Sequence, residues 1–190
     1  IMLSYKDLTP GTEFVMDGEP YMVADYQFVR MQQRRPTTQI KARNLITGKI
    51  TSFTAQQSDI FPEARIEKGD LQFIYAHRGE YVFQKPGNPK ERMTFTEDIL
   101  GESAKFLKPN LTLTAFTFKD NIINLKLPVK VDYKVKDAPE GLKGNTAQGG
   151  SKSVTLENGL EIQVPLFINS GDVIRVNTES GVYTERVEKA

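Results

Sequence analysis

Asn158-Gly159-Leu160-Glu161-Ile162-Gln163-Val164-Pro165-Leu166-Phe167-Ile168-Asn169-Ser170-Gly171 runs between two glycine-bearing turn signals. Leu160, Ile162, Val164, Leu166 and Ile168 fall on one side of an extended chain, because successive side chains of a strand point to opposite faces. The stretch therefore predicts a half-buried strand. The same alternation recurs in Leu71, Phe73 and Tyr75, in Leu111 and Leu113, and in Leu125, Leu127, Val129 and Val131. Further turn signals stand at Asp17-Gly18, Thr47-Gly48, Arg78-Gly79 and Ser180-Gly181, where glycine supplies the positive φ that hairpin turns require. Many short, regularly punctuated strands predict an all-β fold of barrels or sandwiches. The best helical candidate is the short stretch from Glu102 to Leu107, closed by Pro109.

A weak internal repeat suggests more than one barrel. Gly69-Asp70, Gly79 and Tyr81 have the same mutual spacing as Gly171-Asp172, Gly181 and Tyr183. Any strand, turn and strand unit shares some of this pattern, so the match is a hint rather than a demonstration. Junctions are expected at Phe61-Pro62-Glu63-Ala64 and at Leu127-Pro128, dividing the chain into 1–64, 65–128 and 129–190. Units of about 60 residues are small and each is marginal alone.

With hydrophobic residues at 38%, charged residues at 26% and a mean hydropathy of −0.42, the composition is that of a soluble globular protein. No apolar run approaches the roughly 20 residues of a membrane helix. The stretch from Ile1 to Thr12 carries Lys6, Asp7 and Pro10 and lacks the basic-then-apolar order of a signal peptide, so a cytoplasmic location is expected. The absence of cysteine excludes disulfides, thiolate metal sites and a cysteine nucleophile.

The net charge of +1 conceals a division. From Tyr26 to Ser58 there is no Asp or Glu, while Arg30, Arg34, Arg35, Lys41, Arg43 and Lys49 supply six positive charges, leaving −5 on the rest of the chain. Concentrated like charge repels itself, and it suits a polyanionic partner on that side better than a merely solvated face. Tyr21 to Val29 and Thr37 to Leu45 read as the two strands of a hairpin, with Gln39, Lys41 and Arg43 on one face and Thr38, Ile40 and Ala42 on the other. Arg30-Met31-Gln32-Gln33-Arg34-Arg35-Pro36 joins them. Arginine pairs with phosphates and stacks on bases, and glutamine bonds to base edges and sugar hydroxyls, so this tip favours RNA. A surface loop charged only for solubility is the competing reading.

Catalysis finds no constellation. The only histidine, His77, sits beside Arg78-Gly79 at a hairpin turn, and no nucleotide-binding glycine loop or metal-ligand spacing is present. Glu97 and Asp98 are adjacent and point apart, which suits solvated charge better than a carboxylate pair. A non-enzymatic protein without metal or cofactor is expected.

Ser4-Tyr5-Lys6-Asp7-Leu8-Thr9-Pro10-Gly11, Asp17-Gly18-Glu19-Pro20-Tyr21-Met22-Val23 and Lys41-Ala42-Arg43-Asn44-Leu45-Ile46-Thr47-Gly48-Lys49 together resemble the first domain of the elongation factor P family. A more specific resemblance lies in Gly141-Leu142-Lys143-Gly144-Asn145-Thr146-Ala147, Gly149-Gly150, Gly159, Val164-Pro165-Leu166-Phe167-Ile168 and Gly171-Asp172-Val173-Ile174. With Gly69-Asp70 and Glu80-Tyr81-Val82 between them, it covers essentially the whole chain. The resemblance implies an elongated arrangement of three small β-barrels: an SH3-like (KOW-like) barrel with the basic tip hairpin at 1–64, a central OB-fold at 65–128 and a C-terminal OB-fold at 129–190. It implies a monomer whose partners are the ribosome, peptidyl-tRNA and ribosomal RNA, with no membrane partner. The family acts between the peptidyl and exit sites and relieves stalls at consecutive prolines. Proline's ring fixes φ and constrains the approach of the nucleophile, so holding peptidyl-tRNA in a reactive pose recovers rate without a catalytic group. The elongation factor P-like paralogue and a general OB-fold binder of single-stranded RNA are the alternatives.

The resemblance assigns the tRNA and rRNA contacts to the tip residues Arg30, Met31, Gln32, Gln33, Arg34 and Arg35, supported by Lys41 and Arg43. The family's tip is Pro-Gly-Lys-Gly or an arginine variant, often extended by modification, whereas alignment without gaps from Val29 to Asn44 puts Gln33 at that position and Arg34 after it. An unmodified tip is expected, with Arg34 the residue that a modification would take. Gly144, Asn145 and Thr146 correspond to a loop associated with exit-site codon contacts, and Asn145 stands where the family commonly has Asp. Tyr183 and Arg186 match positions of small-subunit-side RNA contact, with ordinary strand residues as the competing reading.

Overall fold

The structure, a computed structural model, describes residues 1–29, 37–140 and 150–190. It is all-β. Sixteen strands form four sheets among the described residues. The fold divides into two compact units, Ile1–Gly69 with Ala115–Asn124, and Asp70–Thr114 with Leu125–Ala190.

The N-terminal strands are β1 (Met2–Ser4), β2 (Glu13–Met16), β3 (Glu19–Val29), β4 (Thr37–Asn44), β5 (Ile50–Ala55) and β6 (Ile60–Pro62). β2 to β5 make an antiparallel meander in chain order, and β1 pairs with β6. Asp17 (φ 53°) and Gly18 (φ 82°) turn β2 into β3, and two positive φ values in a two-residue loop match the right-handed twist of the flanking strands. The core gathers Tyr5, Leu8, Phe14, Val23, Ile40, Ala42 and Ala55. Phe14 is its centre, with ring centroids 5.9 Å from Tyr21, 6.0 Å from Phe53 and 5.4 Å from Phe61.

The middle sheet comprises β7 (Glu67–His77), β8 (Glu80–Lys85), β9 (Asn88–Thr96), β10 (Thr112–Phe118) and β11 (Asn121–Lys126), in the order β11-β10-β7-β8-β9. The C-terminal sheet comprises β12 (Lys130–Asp137), β13 (Ser151–Leu156), β14 (Glu161–Pro165), β15 (Val173–Asn177) and β16 (Val182–Glu188), in the order β14-β13-β12-β15-β16. Numbered from its own first strand, each has its first strand at the centre, the second and third on one side and the fourth and fifth on the other. That shared five-stranded order is compatible with the Greek-key OB fold. The repeat noticed in the sequence pairs the wrong strands, however: Gly79 turns the first strand of the middle sheet into its second, while Gly181 turns the fourth strand of the C-terminal sheet into its fifth. Asp70 is accordingly exposed, whereas Asp172 is buried.

Two alternating runs lose phase in the structure, and a third keeps its burial beyond the end of its strand. Leu71 and Phe73 are buried, but a bulge between Phe73 and Tyr75 inserts an unpaired residue and Tyr75 emerges exposed. Val129 lies between β11 and β12 and is exposed, while Leu125, Leu127 and Val131 are buried. β14 stops at Pro165, which has no N–H to continue a ladder, so Leu166 and Ile168 lie beyond the strand. The expected helix at 102–107 is a 3-10 turn, Gly101–Phe106, preceded by another at Glu97–Ile99.

Within the second unit the end of that turn and the residues after it are anchored on the C-terminal sheet. The Tyr133 hydroxyl donates to the Phe106 carbonyl, and Asn158 Nδ2 reaches the carbonyls of Lys105 and Leu107, each at 3.1 Å. Lys108 Nζ donates to the Asp132 carbonyl at 2.6 Å and to Glu157 Oε1 at 3.1 Å. Burial holds the Tyr133 phenol well above its usual titration range, so it stays a donor at any physiological pH.

Candidate nucleic-acid interface

The pleat sorts the β3–β4–β5 sheet into two chemically different faces. Thr38, Ile40, Ala42 and Asn44 are buried, and Gln39, Lys41 and Arg43 alternate with them in solvent, as the sequence predicts. Register places Gln27 opposite Gln39 and Gln39 opposite Thr54, then Asp25 opposite Lys41 and Lys41 opposite Ser52, and Arg43 opposite Ile50. The outer face thus carries amides, hydroxyls and two cations, with one carboxylate, Asp25, across from Lys41 and the exposed Ile50 across from Arg43. Among the described residues neither Lys41 nor Arg43 pairs with a carboxylate, unlike Arg175, which is bidentate to Asp132 at 2.7 and 3.0 Å. Exposed cations without internal partners are available to phosphate.

The lower end of this hairpin is held by Asn44. Its Oδ1 accepts the backbone N–H groups of Ile46 and Thr47, both at 2.9 Å, and its Nδ2 donates to Glu19 Oε2 at 2.6 Å. Those bonds close the turn into β5 and fix the strand that carries Lys41 and Arg43. The tip residues Arg30, Met31, Gln32, Gln33, Arg34 and Arg35 lie outside the described residues, as do Gly144, Asn145 and Thr146.

Tyr183 and Arg186 both stand on β16, opposite Val176 and Ile174. Arg186 is engaged within the fold: Nη1 lies 3.4 Å from Asp172 Oδ2 and 3.5 Å from the Phe167 carbonyl, and the guanidinium stands 5.1 Å from the Phe167 ring centroid. Asp172, only 1% exposed, also accepts the N–H groups of Asn169 and Ala190, each at 2.9 Å. Tyr183 joins Leu166, Phe167 and Val182 around a shallow apolar groove. Phe167, more than half exposed beside Arg186, was not singled out as a site from the sequence, where it reads as one more residue of an apolar run.

Burial alone raises the Asp172 carboxyl, but the amides of Ala190 and Asn169 and the Arg186 guanidinium outweigh it and hold the group below its ordinary value. A carboxyl lowered in the folded state lends stability above its unfolded pKa of about 3.9 and loses that stability as pH falls through the lower folded value. Asp172→Asn is therefore expected to flatten the acid limb of the stability profile below about pH 4, measured as the denaturation midpoint between neutral and strongly acid pH. An unchanged acid limb would show that Asp172 carries none of it.

A family profile described as the elongation factor P KOW-like domain matches residues 4–61, and one described as elongation factor P, C-terminal, matches 131–186. Proteins named elongation factor P from Carboxydothermus hydrogenoformans and Dictyoglomus thermophilum are 35% and 38% identical, over 98% and 97% of this chain and all of each relative. The chain belongs to the elongation factor P family. Among solved structures, a eukaryotic translation initiation factor 5A from Methanococcus jannaschii aligns with a TM-score of 0.52 at 12% identity, covering 67% of this chain and 92% of that one. A translation initiation factor eif-5a family protein from Naegleria fowleri aligns at 0.50 and 13%, covering 67% and 98%. Those two likenesses speak for the fold.

As a member of the elongation factor P family the protein is a ribosome-associated translation elongation factor. The KOW-like match contains the whole β3–β4–β5 sheet, so the exposed Gln39, Lys41 and Arg43 stand on the domain by which the elongation factor P family is recognised. The C-terminal match contains Asp172, Tyr183 and Arg186. Among the described residues no helix is long and apolar enough to cross a membrane, and no cluster of His, Cys, Asp or Glu is suited to a metal ion.

Proposed function

We propose that the protein binds in the cytoplasm, as a monomer, between the peptidyl and exit sites of the ribosome, and holds peptidyl-tRNA in a reactive pose where consecutive prolines slow peptide transfer. The observation that carries this reading is the acid-free stretch from Tyr26 to Ser58, which presents Lys41 and Arg43 on the outer face of the β3–β4–β5 sheet. Arg30 to Arg35 meet the acceptor end of the tRNA and nearby ribosomal RNA, unmodified, with Gln33 and Arg34 in place of the extended lysine of other family members. Positioning alone suffices for the rate effect, so the protein needs no catalytic group, metal or cofactor.

The division into barrels at 1–64, 65–128 and 129–190 belongs to the same reading, as do a codon contact through Gly144, Asn145 and Thr146 and small-subunit contacts at Tyr183 and Arg186. Asn145 keeps one acceptor of the aspartate found elsewhere and adds donors, which suits the same role. Arg186, tied to Asp172 and Phe167, would present a fixed guanidinium edge rather than a free side chain.

Competition tests the location. Purified protein should bind ribosomes that carry peptidyl-tRNA, measured by filter retention, and deacylated tRNA added to fill the exit site should displace it. Binding undiminished by a filled exit site would refute the placement.

A further inference from the structure

The first sheet narrows along β3. β2 pairs with β3 only from Glu19 to Met22, so beyond the bulge between Val23 and Asp25 the strand has β4 as its partner in the sheet among the described residues. In that register Tyr26 stands opposite Ile40 and Phe28 opposite Thr38. Directly opposed residues share a face, and Ile40 and Thr38 are 1% and 2% exposed, so both rings belong to the inner face. Tyr26 is nonetheless 46% exposed and Phe28 52% exposed. Two rings, about 7 Å apart along one strand, leave the core with a free side each.

Covering Ile40 and Thr38 needs only an apolar residue of moderate size. Two half-exposed aromatics do more, because every nucleobase has a π face to stack on them. Charge selects the occupant. The rings open the stretch, Tyr26 to Ser58, that lacks any acid, and the opposite face of the same sheet carries Gln27, Gln39 and Lys41, with Asp25 across from Lys41 just before the stretch begins. An aromatic side backed by cations and amides is the composition that binds single-stranded nucleic acid, whereas an apolar protein partner has no use for the excess positive charge. We propose that Tyr26 and Phe28 form a stacking platform for unpaired RNA bases, distinct from the phosphate-binding outer face at Lys41 and Arg43. It rests on the reading that this arm approaches RNA. The rings give orientation to bases that the cations alone would hold only by their backbone.

The test uses the full chain and a short single-stranded RNA carrying 2-aminopurine, whose fluorescence falls on stacking. Wild-type protein should quench it. Tyr26→Leu with Phe28→Leu keeps apolar cover over Ile40 and removes the π faces, so thermal melting should hold while affinity drops about tenfold for each ring. The salt slope should not change, because no phosphate contact is lost. Lys41→Ala should do the reverse, lowering the salt slope by about one and leaving the quenching amplitude intact. Wild-type binding without quenching, or undiminished affinity in the double leucine variant, would overturn the platform. Stall relief by the wild type without quenching sinks the platform alone, and quenching without stall relief sinks the proposed function alone.

Discussion

Phe14→Ala is expected to cost about 3–5 kcal/mol of stability, the range for emptying a fully buried aromatic site. The ring is 0% exposed and touches three other aromatics from β3, β5 and β6, so its removal opens a cavity that strands fixed by their ladders cannot collapse to fill. Denaturation followed by far-ultraviolet circular dichroism measures the loss. Phe28→Ala in the same sheet is the control, because the half-exposed ring should cost under about 1 kcal/mol. Equal effects from the two substitutions would show that Phe14 is not the centre of this core.

The second large effect is functional. Replacing Arg34 and Arg35 by alanine should leave melting unchanged and raise the protein concentration needed for half-maximal relief of a proline stall by roughly a hundredfold or more, since each charge-assisted contact is worth about 1.5–3 kcal/mol. Gln33→Ala removes only neutral hydrogen bonds of about 0.5–1.5 kcal/mol and should cost at most roughly tenfold. Full activity in the double arginine variant would take the tip out of the contact. Intact mass of the native protein bears on the same point: an unmodified tip predicts the mass of the bare chain.

The parts of the fold set by a residue's immediate neighbours were legible in the sequence. Gln39, Lys41 and Arg43 face solvent and Thr38, Ile40 and Ala42 the core, because the pleat dictates both and no bulge interrupts β4 opposite β5. The six glycine turns singled out all take positive φ, between 70° and 91°. What the sequence hid depended on long-range pairing. A bulge decides that Tyr75 leaves the core, and the hairpin turn at Lys119 and Asp120 contains no glycine although both residues have positive φ.

The site followed the same rule. The cationic strand face was visible as an unbroken absence of acids, a property of composition. In the sequence Asp172 is one position of a weak repeat, and its role in holding Asn169, Arg186 and Ala190 appears only when residues up to 18 positions apart meet. Tyr26 and Phe28 escaped notice as a site because alternation alone assigns them to a core face; only the early end of β2 leaves that face open.

Cell-free translation of a reporter containing three consecutive prolines, with and without the purified protein, tests the central claim most directly. Full-length product should rise with added protein while a reporter lacking the proline run is unaffected. Equal output from the triple-proline reporter with and without the protein would contradict the assignment.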